Sequence, residues 1–530
     1  MTLDVRVLHS RAWLGALLSC LVIAGCGGGG GGGGGPAPEP PTPVVSGPAW
    51  WNFGRDVQHA AQGGVATQPL SRIVWQAAVD LVPPYLPGNV LHIHYGSPVI
   101  TSSNTVLVPV KINRDSDFRV EARSGANGTL VWSAPTDYIL PAHDWTPSYN
   151  IALTQGNRVY MPAAGGRLLY RDNADAATGA LTSVAFYGNA NYDLARAAYD
   201  TSVIINTPLT VDPRGNVYFG FVVVGPTPLA LTNGIARIAP DGTGTWVSVS
   251  AAASNPQISK VATNAAPALS TDLRTLYVAV NTSPPPGLRP TGMLLALDAD
   301  TLTTRGQVEL RDPATGQLGW VADNASASPS VGPDGDVYFG VLESNTPAHN
   351  FRGWLLHYDS TLRTTKLSGS FGWDQTVSFA PASMVPQYTG TSTYLVVSKY
   401  NNYYNVGTGN GRNQMAILDP SGGQIDSISA IPVMREVLTI LGPTPENGQP
   451  GVLGAVREWC VNTTTVDPAT SSVLVNNEDG RLYRWHLPSN TLSQAIRFNN
   501  GYAESYTPSA IGPDGKVYAI NNATLFAVGQ

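Results

Sequence analysis

The chain has 530 residues, of which 43% are hydrophobic and only 12% carry a charge, and its formal net charge is −6. The hydrophobic fraction is sufficient for a core, whereas the negative balance and the lack of a basic stripe speak against nucleic-acid binding. A chain of this length ordinarily forms several domains, but one repeat runs through nearly everything after residue 70.

The N-terminal part has the composition of a processing signal and a tether. Two arginines precede an apolar run that ends in Ile-Ala-Gly-Cys26, which resembles the bacterial lipobox. In that family the signal peptidase cuts before the cysteine, and the cysteine sulfur then carries a lipid; an ordinary signal peptide with an incidental cysteine is the alternative. Nine glycines and a Pro-rich segment follow, and such a tract cannot form a core. We therefore expect a lipoprotein signal peptide at 1–25, a tether at 26–48 and a lipid on Cys26.

A lipid on Cys26 predicts that the folded domain is held at a membrane of the bacterial cell envelope, with the outer membrane as the expected place. No other segment has eighteen uninterrupted apolar residues, so no transmembrane helix is predicted. Cys20 leaves with the signal peptide and Cys460 remains alone, so we expect no internal disulfide. The folded part is expected to be a monomer.

The folded part is built from a repeat whose clearest copy is ASPSVGPDGDVYFG at 327–340. A Ser-Pro and a short apolar run lead to a turn at Pro333-Asp334-Gly335, and Val337-Tyr338-Phe339 follows. Proline presets the φ angle of the turn, aspartate bonds back to its own backbone, and glycine adopts the conformation that other residues avoid. Because Val, Tyr and Phe favour strands, the unit predicts a strand, a tight turn and a second strand.

Eight copies of this unit recur with a mean period of about 59 residues, a spacing typical of β-propeller blades. They begin at Ser97-Pro98, Gln155-Gly156, Thr207-Pro208, Ala266-Pro267, Ser328-Pro329, Ala380-Pro381, Asn462-Thr463 and Thr507-Pro508. A third strand follows most copies, with room for a fourth. We predict an all-β fold, an eight-bladed β-propeller of four-stranded antiparallel blades over residues 49–530. A seven-bladed ring, with the weak seventh copy absorbed into the long sixth, is the alternative.

The closure of the ring is predicted from its two ends. The segment 72–79 reads as a strand before the first repeat, and the last repeat supplies only three strands before the chain reaches Gln530. A ring must hide its edge strands. We therefore predict that 72–79 is the outer strand of the last blade.

The segment Trp50-Trp51-Asn52-Phe53-Gly54-Arg55-Asp56 resembles the Trp-x-x-Phe-Gly-x-Asp entry of bacterial propellers of the quinoprotein dehydrogenase type. That group includes the outer-membrane-barrel assembly lipoprotein, and the resemblance, over residues 50–530, implies the propeller fold. Quinoprotein dehydrogenases usually carry an adjacent Cys-Cys pair that stacks on pyrroloquinoline quinone, and some carry a Cys-x-x-Cys-His haem segment. This sequence has neither motif, so we identify no cofactor and the sequence speaks against pyrroloquinoline quinone.

The candidate site lies in the turns before the innermost strands, which open on one face of the central channel of a propeller. Charged and aromatic residues concentrate at these equivalent positions, which predicts a ligand-binding mouth. The candidates are His92, His94, His143, Asp144, Asp323, Asp374, Arg457, Glu458 and Glu504, with Trp145, Trp373 and Trp459 as aromatic walls. The alternative is that they are solvated turn residues or join blades by hydrogen bonds.

Several candidates suggest specific chemistry. Arg457 could clamp a carboxylate bidentately, or instead pair with Glu458 or Glu504 and lock two blades. A carboxylate crowded by Asp323 and Asp374 would hold its proton more tightly. His-x-His at 92–94 is a weak metal motif because a catalytic zinc needs three ligands, so we predict no metal. A lone cysteine such as Cys460 is more often a small buried hydrophobe than a reactive thiol.

Two classes of function follow from these features. The first is a binding or scaffold module that docks a protein, a glycan or a small molecule at the mouth, at blade edges or on the Tyr- and Asn-rich loop at 396–412. The second is an envelope enzyme that uses the His, Asp and Glu groups of the mouth on a small extracellular substrate. No recognisable catalytic motif is present, which favours the binding module.

Overall fold

The computed structural model describes residues 45–86, 90–91, 93–114, 116–142, 149–285, 288–322, 327–446, 454–500 and 504–530. The predicted signal peptide, the greater part of the tether and Cys26 lie outside these residues. Three strands precede the first complete blade: β1 (Arg72–Ala78), β2 (Tyr85–Leu86) and β3 (Val90–Leu91), of which β2 and β3 form a separate hairpin.

Blades one to four follow in chain order. Blade one contains β4 (Val99–Ile100), β5 (Thr105–Lys111), β6 (Phe118–Ser124) and β7 (Leu130–Thr136). Blade two contains β8 (Ala152–Leu153), β9 (Val159–Pro162), β10 (Arg167–Arg171) and β11 (Thr182–Ala185). Blade three contains β12 (Val203–Ile205), β13 (Thr210–Val211), β14 (Val217–Val223), β15 (Gly234–Ile238) and β16 (Gly244–Ser248). Blade four contains β17 (Ile258–Val261), β18 (Ala268–Leu269), β19 (Thr275–Thr282), β20 (Gly292–Asp298) and β21 (Thr304–Glu309).

Blades five to eight complete the ring. Blade five contains β22 (Ser330–Val331), β23 (Val337–Val341) and β24 (Trp354–Tyr358). Blade six contains β25 (Ser378–Pro381), β26 (Tyr394–Tyr400), β27 (Gln414–Ile425) and β28 (Pro432–Leu441). Blade seven contains β29 (Thr465–Asp467), β30 (Ser472–Asn477), β31 (Arg481–His486) and β32 (Thr491–Arg497). Blade eight contains β33 (Ala510–Ile511), β34 (Val517–Asn521) and β35 (Thr524–Gly529).

Helices occur only in short connections within the described ranges. They are α1 (Asn189–Leu194), α2 (Arg196–Asp200) and α3 (Val249–Ala252), with 3-10 turns at Ala164–Gly166, Ala382–Met384 and Pro468–Thr470. None of the helices in this part of the chain is long and apolar enough to cross a membrane.

The eight-bladed prediction and the predicted closure are both confirmed. The sheets of the described residues form eight antiparallel blades, so the seven-bladed alternative is wrong. Strand β1 pairs antiparallel with β35, with Arg72 opposite Gly529 and Ala78 opposite Thr524. The two ends of the folded chain thus share one blade, which leaves no open edge in the ring.

Blade five departs from the four-stranded pattern. Its sheet has three strands, and two isolated bridges, Leu355 with Gly369 and Tyr358 with Thr365, stand where a fourth strand is expected. Two separated bridges do not make a continuous ladder, so the outer edge of this blade is held by fewer backbone bonds than those of its neighbours.

The turn chemistry predicted from the repeat is present in the clearest copy. Gly335 has a φ of 88° and its N–H donates to the carbonyl of Gly332 at 2.9 Å. The carboxylate of Asp334 accepts the N–H of Asp336 at 3.1 Å. These bonds close the hairpin between β22 and β23 and bring Tyr338 into the core, where it is fully buried.

Hydrogen bonds join the blades where the innermost strands begin. The hydroxyl of Ser328 accepts the N–H of Ala266 from blade four at 2.9 Å, and the N–H of Ser328 donates to the hydroxyl of Thr376 in blade six at 3.0 Å. The chain of bonds continues from the N–H of Thr376 to the carbonyl of Asn462 in blade seven at 3.1 Å. The hydroxyl of Thr507, from blade eight, donates to the carbonyl of Tyr95 at 3.1 Å and so reaches blade one.

The segment 46–63, which we call the strap, runs around the inside of the ring near the turns that follow the innermost strands. It contacts the innermost strand or the following turn of every blade. Its partners are Ile100, Leu153, Val211, Leu269, Val331, Phe379, Val466 and Pro513, in blades one to eight. The segment that carries the Trp-x-x-Phe-Gly-x-Asp pattern therefore ties all eight blades together at the end of the channel opposite the candidate mouth.

We expect Asn52→Ala to lower the free energy of unfolding by about 2–4 kcal/mol, because it leaves two buried backbone groups without partners. The side chain of Asn52 accepts the N–H of Val211 at 2.8 Å and donates to the carbonyl of the same residue at 3.0 Å. Urea denaturation measures the loss. Asn127→Ala, which removes a single bond in an exposed turn, is the control. Equal losses in the two variants would show that the strap does not hold the ring.

Candidate functional site

The structure describes seven of the twelve residues predicted for the mouth, and it brings several of them together. The described ones are His94, Trp373, Asp374, Arg457, Glu458, Trp459 and Glu504, whereas His92, His143, Asp144, Trp145 and Asp323 lie outside the described residues. The described part of the mouth therefore belongs to blades six, seven, eight and one.

Tyr506 stands at the centre of the group. Its hydroxyl donates to the carboxylate of Asp374 and accepts from the side-chain amide of Asn462 at 2.8 Å. The ring of His94 stacks on the ring of Tyr506 with centroids 3.9 Å apart and an interplanar angle of 19°. Residues that are more than 400 positions apart in the sequence thus meet because blades one and eight are neighbours in the closed ring.

Lys399 supplies a positive charge at this site. It lies on β26, the second strand of blade six, with 2% of its side chain exposed, and its ammonium is 3.4 Å from the carboxylate of Asp374. The candidates were all drawn from turns before innermost strands, which excluded Lys399. The signal that could have found it is a lysine inside an otherwise apolar strand.

We call Asp374, Lys399, Glu458, Glu504, Tyr506 and His94 the mouth cluster. Burial raises the pKa of Asp374 to about 6, against the opposing effect of Lys399 and of the Tyr506 hydroxyl. Burial also raises the pKa of Glu458 to about 7 and that of Glu504 to about 8, again opposed by Lys399. These carboxyl groups therefore change charge around neutral pH, because burial disfavours their ionised forms.

Further acids surround the cluster. The N–H of Glu458 donates to the carboxyl group of Glu478 at 3.0 Å, and burial raises the pKa of Glu478 well above its usual value. Glu504 accepts the N–H of Tyr506 at 2.7 Å. The sequence predicted that Asp323 and Asp374 crowd a carboxylate, and Asp323 lies outside the described residues. The charge of Asp374 raises the pKa of Glu504, and that of Glu458 raises the pKa of Asp374.

Two predicted residues take other positions. Trp459 is fully buried in the core of blades six and seven, edge-on to Tyr483 with centroids 5.7 Å apart, so its expected role as an aromatic wall is wrong. Glu458 and Cys460, on either side of it in the chain, are partly exposed instead. Arg457 forms an ion pair with Glu446 at 3.5 Å.

Trp373 keeps the position expected of an aromatic wall. Its ring is partly exposed and lies beside that of Trp320, with centroids 6.3 Å apart and an interplanar angle of 27°. Trp373 precedes Asp374 in the chain, so this pair of rings extends the mouth cluster outward over blade five.

The described residues of the mouth include no cysteine pair and no group of metal ligands, whereas His92, His143, Asp144 and Asp323 lie outside them. Among the described residues, no three His, Cys, Asp or Glu side chains lie close enough to hold a metal ion. Cys460 is a free, half-buried thiol, so there is no adjacent cysteine pair on which a quinone could stack. Burial and the neighbouring carboxylates raise the pKa of Cys460 well above its usual value, which keeps the thiol protonated.

No family model matches the sequence, and no curated protein matches it. Solved structures do match. The quinohemoprotein alcohol dehydrogenase from Comamonas testosteroni is 13% identical, with 91% of this chain and 81% of that chain covered and a TM-score of 0.55. A europium-containing methanol dehydrogenase is 10% identical, with 90% and 89% covered and a TM-score of 0.53.

A quinohemoprotein alcohol dehydrogenase from Pseudomonas putida HK5 is 12% identical, with 92% of this chain and 76% of that chain covered and a TM-score of 0.52. At these identities the likeness is one of fold. It confirms the propeller fold that the resemblance in the sequence implied.

We expect Glu504→Gln to stabilise the protein at pH 8 and to leave it nearly unchanged at pH 4. The pKa of Glu504 is raised from 4.5 to about 8 in the fold, so its contribution to stability is complete below about pH 4.5 and is lost as the pH rises towards 8. The amide introduced by Glu504→Gln cannot ionise, so the variant does not lose this stability as the pH rises. Melting temperatures across this pH range measure it.

Glu309→Gln, on the outer strand β21 with 45% of its side chain exposed, is the matched control. A Glu504→Gln variant with the same pH dependence as the wild type would contradict the assignment of a raised pKa to this carboxyl group.

Proposed function

We propose that this chain, which has the eight-bladed propeller fold of quinoprotein dehydrogenases, is a membrane-anchored binding module whose mouth cluster receives a small polar ligand. The observation that carries the proposal is the meeting of charged and aromatic side chains from four blades at one end of the channel. Polar groups flanked by aromatic rings are typical of small-molecule sites.

The arrangement favours binding through that end of the channel. The strap occupies the opposite end and contacts every blade, so a ligand would enter from the side where the mouth cluster lies. The bonds from Tyr506 to Asp374 and Asn462 hold these side chains in place before a ligand arrives, which lowers the entropy cost of binding.

An enzyme is the second candidate, and the pKa values favour it. General acid–base catalysis is most effective when the pKa of the catalytic group is near the working pH, and those of Asp374 and Glu458 are about 6 and 7. Conversion of a bound ligand, followed by mass spectrometry of the mixture before and after incubation, would distinguish an enzyme from a binding module.

The anchor is part of the same proposal. Lipidation of Cys26 would attach the domain to the cell envelope through the Gly- and Pro-rich tether that follows. Protein or glycan partners would then meet the exposed apolar side chains of Leu81, Val82 and Tyr85 beside the first blade.

We expect Tyr506→Phe to weaken ligand binding about tenfold, because it removes the hydroxyl that orients Asp374. The full chain in detergent would be screened by thermal shift against amines, amino acids, carboxylates and sugars. Tyr277→Phe, which removes a buried hydroxyl bonded to Ser360 at 2.7 Å in another part of the ring, is the control. If every ligand of the wild type binds Tyr506→Phe equally well, the mouth cluster is not the binding site.

We expect Cys26→Ala to move the protein from the membrane fraction to the soluble fraction when the full chain is expressed in a Gram-negative host. The variant lacks the sulfur that would carry the lipid. Cell fractionation with immunoblotting measures the distribution, and Cys460→Ser, which should stay with the membrane, is the matched control. Retention of Cys26→Ala on the membrane would refute the lipid anchor.

A further inference from the structure

Lys399 is buried but uses little of its hydrogen-bonding capacity on the protein. Only 2% of its side chain is exposed, and the ammonium makes one polar contact with the described residues, to Asp374 at 3.4 Å. The rings of Phe371 and Tyr506 lie 5.8 and 5.7 Å from the ammonium. An ammonium has three donors, and a buried donor without an acceptor is costly. Lys399 is therefore suited to donate to a group outside the described chain.

The chain contains an internal comparison for this lysine. Lys111 lies at the same end of the second strand of blade one, is equally buried, and pairs with Asp80 at 2.9 Å. Its ammonium also donates to the carbonyls of Val82, Asn113 and Arg114 at 3.2, 2.7 and 2.6 Å. The protein thus surrounds Lys111 with acceptors, as expected of a structural lysine, whereas the described residues give Lys399 one long contact.

A carboxyl group with unused capacity faces the same space. Glu458 is partly exposed, and no hydrogen bond from its side chain to a described residue is present. The charge of Lys399 lowers the pKa of Glu458 and of Glu504, against the larger effect of burial, so both carboxyl groups are close enough to sense this ammonium. The mouth cluster therefore places the ammonium of Lys399 beside the carboxyl group of Glu458, and the side chains of both make few hydrogen bonds to the described residues.

The charges restrict the ligands that this pair can accept. A simple carboxylate ligand would meet Lys399 but would also add a negative charge beside Asp374, and beside Glu458 and Glu504 wherever these are ionised. A simple amine would neutralise a carboxylate but would leave the donors of Lys399 without acceptors. A ligand that carries both groups satisfies both sides, because each of its charges faces the opposite charge.

We propose that the ligand of the mouth cluster is a small zwitterion of the amino-acid class, whose carboxylate accepts from Lys399 and whose ammonium is bound by Glu458 and Glu504. This inference rests on the proposed ligand site and names its ligand class. Binding of the ammonium requires ionised glutamates, so it is accompanied by release of protons near neutral pH.

The test begins with isothermal titration of the full chain in detergent with each of the twenty L-amino acids at about 10 mM, where a ligand with a Kd of 1 mM is mostly bound. The tightest binder is then compared with its decarboxylated amine and its deaminated acid. We expect each half-ligand to bind at least about tenfold more weakly than the amino acid. Titration in buffers of different ionisation enthalpy measures the released protons.

Two variants test the contact to the ligand carboxylate and the contact to the ligand ammonium separately. Lys399→Met should weaken binding of the amino acid and of the acid half-ligand about tenfold to a hundredfold, with a smaller effect on the amine half-ligand. Glu458→Gln should weaken binding of the amino acid and of the amine, and should not weaken binding of the acid half-ligand. Lys111→Met is the matched control: it should lower the melting temperature and leave the affinity of the folded protein as it is. If Lys399→Met does not fold, the affinities of the wild type for the amino acid, its amine and its acid test the inference by themselves.

The outcomes separate this inference from the proposed function. If none of the twenty amino acids binds, or if the amino acid binds Lys399→Met as well as the wild type, the inference is wrong. If another ligand class then binds the wild type but not Tyr506→Phe, the mouth cluster remains a binding site for a different ligand. If Tyr506→Phe binds every ligand equally well, the proposed site fails as a whole.

Discussion

The hydrogen bonds between innermost strands are the interaction on which the rest of the molecule depends. Several of these strands, such as β4, β8 and β33, are only two residues long and cannot satisfy their backbone groups within their own blade. Ser and Thr hydroxyls at the start of the strands bond to the next blade, and the strap bonds to the strands from inside the ring. Because no blade can form these bonds alone, the ring and the strap must be complete before any blade is stable.

The polar mouth is a consequence of this closed ring. The turns before the short innermost strands bring side chains from neighbouring blades together, and burial there raises the pKa values of carboxyl groups. A lysine in such a place is stable when the protein surrounds it with acceptors, as it does for Lys111. Among the described residues Lys399 has only Asp374 as a polar partner, and this contrast distinguishes a structural ion pair from the proposed ligand site.

The types of residue that meet in a structure are a weaker guide to function than the hydrogen bonds that their side chains make. Ser370, His349 and Asp426 form a Ser-His-Asp group between blades five and six, and all three are buried. Ser370 donates directly to Asp426, while Nδ1 of His349 lies 3.0 Å from the carbonyl of Gly353. Although burial opposes the effect, the bonds from His349 and Ser370 lower the pKa of Asp426 far below its usual range. The hydroxyl of Ser370 also lies 3.3 Å from Nε2 of His349, which is itself 3.3 Å from Asp426, but it donates its proton to the acid. These contacts join the two blades.

The sequence by itself determined the architecture and left the site undetermined. The repeat, its eight copies and the closure by 72–79 follow from turn residues and apolar strands whose pattern is local, so they can be recognised without any contact between blades. The strap around Asn52, the stacking of His94 on Tyr506 and the pairing of Lys399 with Asp374 join residues far apart in the chain. Whether a side chain such as that of Trp459 faces the channel or the core depends on the direction of the backbone at one residue, and only the packing of complete blades sets that direction.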